Sequence, residues 1–142
     1  MSELAQRLVA EARTWKGTRF QHQGCIRGKG IDCVNFITEV ARGAGVKNFQ
    51  IPKNYRPHED GSLMLKLLNE HMEIVDSFQP GDVLALCDEA VAQPDKPRHL
   101  VFVSEIRPNT TFIIHASQHG VREHRINAAW LRRVHSVWRI RE

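Results

Sequence analysis

His99-Leu100-Val101-Phe102-Val103, Arg107-Pro108-Asn109-Thr110 and Thr111-Phe112-Ile113-Ile114-His115 read together as a β-hairpin. Two runs of β-branched and aromatic residues flank a Pro-Asn turn signal. Folding the stretch about position 107 sets His99 close to opposite His115. It also puts both on the face carrying Val101, Val103, Thr111 and Ile113. Each histidine then ends an apolar row. Such a pair is either two surface histidines at strand ends or an ionisable base with the group that orients it.

Outward from the hairpin the chain changes texture. Downstream, a strand is expected around Val121-Arg122-Glu123-His124, a short helical piece near Trp130 and a last strand over Val134 to Ile140. Upstream, a polar loop with Pro94 and Pro97 follows the strand Val83 to Leu86, which leaves the turn Gln79-Pro80-Gly81-Asp82. Before that turn the periodicity is helical. Ser2 caps a helix with Leu4, Leu8, Val9, Ala12 and Trp15 on one side and Gly17 as its stop. A second helix opens at Cys33, with Phe36, Ile37, Val40, Ala41 and Ala44 on its stripe and Gly45 at C′. Ser62 caps a third that runs through Leu65, Leu68 and Met72. Gly17 to Ile31 reads as a loop without periodicity, and Lys47 to Gly61 as an irregular connection with Pro52 and Pro57. Helices first and strands afterwards define an α+β domain, with helices on one face of an antiparallel sheet. The 142 residues make one domain, 1–142, large enough to need no disulfide framework.

Composition narrows the function classes. At 42% hydrophobic and 25% charged the chain is neither disordered nor membrane-spanning, and no apolar run approaches a membrane span. Met1 to Arg7 lacks the pattern of a signal peptide, so cytoplasmic synthesis without a Sec-type address is expected, with no membrane partner. A net charge of +4 suits an acidic partner. Yet no zinc finger, basic zipper or aromatic RNA-binding signature points to nucleic acid. His22, Cys25, His119 and His124 form neither Cys-x-x-Cys nor His-Glu-x-x-His, so no metal is expected. Gly24, Gly28 and Gly30 are not followed by Gly-Lys-Ser/Thr, which leaves no phosphate loop.

The three cysteines cannot all pair, so free thiols remain. Cys33 opens a helix, where unpaired N–H groups and the positive dipole end favour thiolate over thiol. Asp32 can cap that helix. Cys33 is either a small core residue on its stripe or a nucleophile, and a nucleophile needs a base and an orienter.

The order of these pieces resembles a known family. Trp15-Lys16-Gly17-Thr18, Gly24, Gly30-Ile31-Asp32-Cys33, Gln79-Pro80-Gly81-Asp82-Val83-Leu84, His99-Leu100-Val101-Phe102-Val103 and Ile113-Ile114-His115-Ala116 are similar to the NlpC/P60 cysteine peptidases, from roughly Ala5 to His124. His22-Gln23-Gly24 and Val121-Arg122-Glu123-His124-Arg125-Ile126 look more like the phage cell-wall peptidase (phage-tail) branch. The resemblance implies a papain-like core and a cysteine amidohydrolase cleaving peptidoglycan stem peptides, commonly at the γ-D-glutamyl to diamino-acid link. It implies Cys33 as nucleophile, His99 as base and later acid, and His115 as orienter of His99. Asp32, Phe20, Val34 and His22 would line the substrate site, with no metal and no organic cofactor. Partners would be the wall peptide and other phage-tail proteins, the latter in a virion delivered to the wall. Two departures bear on substrate. Val34 stands where many members carry serine, and Phe20 where many carry tyrosine; each removes a hydrogen-bonding group. The alternative is a non-catalytic tail assembly or binding module with the same fold.

Overall fold

The computed structural model describes residues 1–51, 55, 61–88 and 96–142. In chain order these form α1 (Glu3–Arg13), β1 (Cys25–Ile26), β2 (Gly30–Ile31), α2 (Cys33–Gly43), α3 (Ser62–His71), β3 (Met72–Val75), β4 (Val83–Leu86), β5 (His99–Arg107), β6 (Thr110–Ser117), β7 (Gly120–Ile126), α4 (Ala128–Leu131) and β8 (Val134–Ile140). One antiparallel sheet runs β3-β8-β4-β5-β6-β7, and among the described residues β1 pairs only with β2. The α+β arrangement expected from the sequence is the one present. No helix among the described residues is long and apolar enough to cross a membrane.

The two N-terminal helices start where capping chemistry allows. Ser2 Oγ accepts the Ala5 N–H at 3.0 Å and opens α1. Asp32 Oδ1 accepts the Asn35 N–H at 2.8 Å and opens α2. Helix α2 ends as Gly45 takes φ +95°, which lets the Val46 N–H reach the Ala41 carbonyl at 3.0 Å. On its inner side Phe36, Ile37, Val40 and Ala41 are fully buried. A buried Phe, Ile or Val side chain stabilises by about 1.5–3 kcal/mol, against about 1 kcal/mol for a cap. Packing on β5 and β6 therefore holds α2, and with it Cys33, more firmly than its cap does.

Alternate residues of the central strands feed two cores. Leu100, Phe102, Ile114 and Ala116 face the helices, where Trp15, Phe36 and Phe102 meet edge to face at 6.4 and 5.9 Å. Leu84, Leu86, Val101, Val103 and Ile113 form a second cluster with Phe78, Ile126, Trp130, Val134 and Val137. The turn before β4 is pinned to both layers. Gly81 has φ +94°, and a Cβ there would come within 2.7 Å of Ala5 Cβ on α1. Asp82 accepts the Gln79 N–H at 2.8 Å and both Arg139 Nε and Nη2 at 2.9 Å, tying the turn to β8.

The hairpin departs from simple folding about position 107. Its turn is Pro108-Asn109, so Arg107 pairs with Thr110 and Glu105 with Phe112. Continued unbroken, that odd-sum register would put His99 and His115 on opposite faces of the sheet. A bulge at Ser104 removes one residue, so that Val103 pairs with Ile113 and Phe102 with Ile114. The two histidines thereby share a face, with His115 diagonal to His99 instead of directly opposite. The bulge, not the turn, brings them together.

Other expectations need correction. The supposedly aperiodic Gly17 to Ile31 loop contains the β1–β2 ribbon, whose two-residue strands are too short to show a period. Strand β3 follows α3 with no turn between them, so Met72 begins the strand instead of ending the helix. Gly61, at φ +95°, holds the N-cap position of α3 without a side-chain bond, and Ser62 is the first helical residue. Pro52, Pro57 and Pro94, expected in connections, lie outside the described residues.

Candidate active site

A cavity of about 250 Å³ opens between the start of α2 and the start of β5. Among the described residues, Phe20, His22, Asp32, Cys33, Val34, Tyr55, Arg98 and His99 line it, with Ala116 to Gln118 from the end of β6 and Leu63 and Met64 from α3. Five of the sequence candidates besides Cys33 thus reach one space. His115 is not on the wall; it lies behind His99.

Cys33 is only partly exposed. The sequence suggests a thiolate favoured by the helix end, and the structure reverses that expectation. Burial, followed by the Asp32 carboxylate, pushes the thiol up to about 12, and nearby backbone N–H groups of Leu100, Cys33 and Val34 offset only part of this. The partial charge of a helix terminus is outweighed by desolvation and by a full negative charge next door. Cys33 therefore rests as a neutral thiol. Cys33 and His99 face the same cavity, and no hydrogen bond joins them among the described residues.

His99 is held from behind. Its Nε2 lies 2.7 Å from His115 Nδ1, which leaves His99 Nδ1 as the ring nitrogen available to the cavity. Burial, and then the Arg133 charge, lowers His99 to about 4. Burial also leads in lowering His115 to about 3, followed by His99, His124 and Arg133. Both rings are neutral at neutral pH. Trp130, from α4, stands edge-on to His115 at 5.6 Å and to His124 at 5.4 Å, closing off the chain of rings.

The other wall is built on Asp32. Beyond its cap bond, Oδ2 accepts the Gln23 N–H at 2.8 Å and the Tyr55 hydroxyl proton. Tyr55 Oη accepts in turn from Asn35 Nδ2 at 3.0 Å. Its carbonyl takes Gln23 Nε2–H at 2.7 Å and His22 Nε2–H at 3.0 Å. Burial and then the Asp32 bond push the Tyr55 phenol upward, so it stays a donor. Phe20 implies a cavity short of a tyrosine hydroxyl, yet Tyr55 supplies one from the connection between α2 and α3. Sequence reasoning misses Tyr55 because it stands in an irregular connection and belongs to no motif; its only signal is that the chain has a single tyrosine.

Val34, at 4% exposure, packs into the main core while touching the cavity and offers no polar group. Among the described residues no group of three or more His, Cys, Asp or Glu side chains is arranged to hold a metal ion. Cys25 and Cys87 are in no disulfide and are not among the residues that line the cavity.

The sequence matches no protein-family model and no curated protein. Solved structures share its fold. An NlpC/P60 family protein from Bacillus cereus superposes with a TM-score of 0.63 at 18% identity, over 94% of this chain and 39% of that one. A protein from Staphylococcus aureus, similar to an NLP/P60 family lipoprotein, gives 0.68 at 16% identity, over 100% of this chain and 43% of that one. Ly7917, solved with the hydrolyzing product of MDP, gives 0.57 at 13% identity, over 96% and 62%. The chain spans about two fifths of the first two proteins. Its fold class is thus the α+β, papain-like core of the NlpC/P60 proteins.

Proposed function

We propose that residues 1–142 are a single NlpC/P60 domain acting as a cysteine amidohydrolase on peptidoglycan stem peptides. The observation that carries this reading is one cavity shared by Cys33, at a helix N-terminus, and His99, whose far nitrogen is already engaged by His115. Cys33 Sγ attacks the amide carbonyl as its proton passes to His99 Nδ1, so the neutral thiol need not ionise beforehand. The N–H groups of Cys33 and Val34 at the helix start are placed to stabilise the oxyanion. His99 gives its proton to the leaving amine and a thioester remains. Water then attacks the thioester, His99 takes the water proton, and the carboxylate leaves as the thiol re-forms. His115 orients His99 throughout, and neither metal nor organic cofactor takes part.

Asp32, with Tyr55 and Asn35 beside it, supplies a carboxylate for a cationic group of the substrate, while Phe20, His22 and Val34 shape the space. The γ-D-glutamyl to diamino-acid link of the stem peptide is the bond we assign. Delivery in a phage or prophage tail, beside other tail proteins, fits the phage-type motif around His22 and His124. The second reading, a non-catalytic tail module, is favoured by the neutral thiol and by Val34. Digestion of purified direct-linked and cross-bridged peptidoglycan, with product masses for wild type and Cys33→Ala, separates the two. New fragments that vanish with Cys33→Ala support the enzyme; none from any wall supports the module.

A further inference from the structure

The hydrogen-bonded rings do not stop at His115. His115 Nε2 lies 2.9 Å from His124 Nε2, and His124 Nδ1 lies 3.0 Å from the Arg125 carbonyl oxygen. A carbonyl can only accept, so His124 Nδ1 carries a proton and, in the neutral ring, Nε2 carries the lone pair. His115 Nε2 must then donate to His124, which leaves its Nδ1 as an acceptor. His99 Nε2 must donate to that Nδ1, and the lone pair of His99 is left on Nδ1, the nitrogen available to the cavity. So long as each ring carries one proton, one backbone carbonyl on β7 sets every proton in the row.

The geometry points to His124 as a positioning residue that fixes the tautomer of His99 through His115. His115 alone cannot do this, because a neutral imidazole donates as readily as it accepts. A reversed row would put a proton on His99 Nδ1 and leave no base toward Cys33. The sheet and α4 both support the row. His124 pairs with Ile113 across β6–β7, which places it diagonal to His115 on the same face. Trp130 packs edge-on against both rings, and the Arg133 guanidinium caps Trp130 at 5.0 Å.

The inference rests on the reading of Cys33 and His99 as nucleophile and base, but its test needs no substrate. Ring 15N shifts in the wild type should show His99 and His115 protonated on Nε2 and His124 on Nδ1. In His124→Phe, which neither accepts nor donates, the His99 tautomer should become mixed. Iodoacetamide labelling of Cys33, read by peptide mass, should slow by about tenfold to hundredfold, comparable to the loss when the outer hydrogen-bond partner of a metal-binding histidine is removed; a wrong tautomer at a catalytic histidine can cost about 10⁴. His124→Gln can accept from His115 and donate to the Arg125 carbonyl, and should restore most of the rate. A His99 tautomer unchanged in His124→Phe, or a Gln variant no better than Phe at equal thermal stability, would overturn the proposal. Absence of wall hydrolysis by a wild type with the expected tautomers would instead overturn the functional reading and leave the row standing.

Discussion

Replacing Asp32 with asparagine removes one negative charge beside Cys33 and keeps an oxygen at the helix N-cap. Asparagine caps as well as aspartate, so the bond from the Asn35 N–H contributes almost nothing to the change. The second oxygen is different: it accepts from the Gln23 N–H and the Tyr55 hydroxyl, and an amide NH₂ in its place cannot accept from Gln23. Losing that charge-assisted bond should destabilise the fold by about 1–3 kcal/mol, measured by urea unfolding. The thiol responds in the opposite sense. Asp32 is the second cause, after burial, of the high Cys33 value. Removing a like charge at this range should speed iodoacetamide labelling of Cys33 at about pH 7.5 by about tenfold or more. Exposed Cys25, read in the same digest, is the internal control. A labelling rate unchanged or slower, in a variant that remains folded, would refute the reasoning that Asp32 holds the thiol neutral.

Two further outcomes concern pH. Burial alone would raise Glu123, but hydrogen bonds led by Arg13, with Lys16 among them, hold its carboxyl at about 2. The folded value lies below the unfolded one of about 4.3. The tie between α1 and β7 is therefore complete above that pH and lost as pH falls toward 2. Glu123→Gln should cost about 1–3 kcal/mol in denaturant unfolding at about pH 7 and much less near pH 2. His99 and His115 act over a different window. Their folded values, about 4 and about 3, lie below the unfolded value of about 6.5. Between these limits the unfolded chain binds protons that the folded chain refuses. Stability should thus decline from about pH 6.5 toward pH 4, and His115→Gln should flatten that decline.

The parts legible in the sequence are those with a repeating physical signal. The stripes of α1 and α2, the Ser2 and Asp32 caps and the apolar run of β4 follow from local periodicity and capping chemistry. Local pattern shows only that Cys33 and His99 each begin an element; it is the resemblance that joins them in one site. Parity alone puts His99 and His115 on a shared face, yet the cause is invisible in the pattern: an unpaired Ser104 leaves no mark on the hydrophobic alternation. Strand β3 is hidden because a helix runs straight into it. Tyr55 escapes notice because a connection has no period to place it. His124 reads from the sequence as a strand residue, a member of the phage-type motif and a metal-ligand candidate set aside, but not as a neighbour of His115, since that position depends on the β6–β7 register. The thiol state is misjudged because a sequence shows the helix end and not the desolvation.

The central claim is covalent chemistry at Cys33, and an acid-quenched intact-mass measurement during turnover of a γ-D-glutamyl-diamino-acid stem peptide tests it most directly. The expected result is an acyl adduct mapping to the peptide containing Cys33, absent in Cys33→Ala together with all cleavage. Cleavage that persists in Cys33→Ala, or turnover with the adduct on another residue, would contradict it.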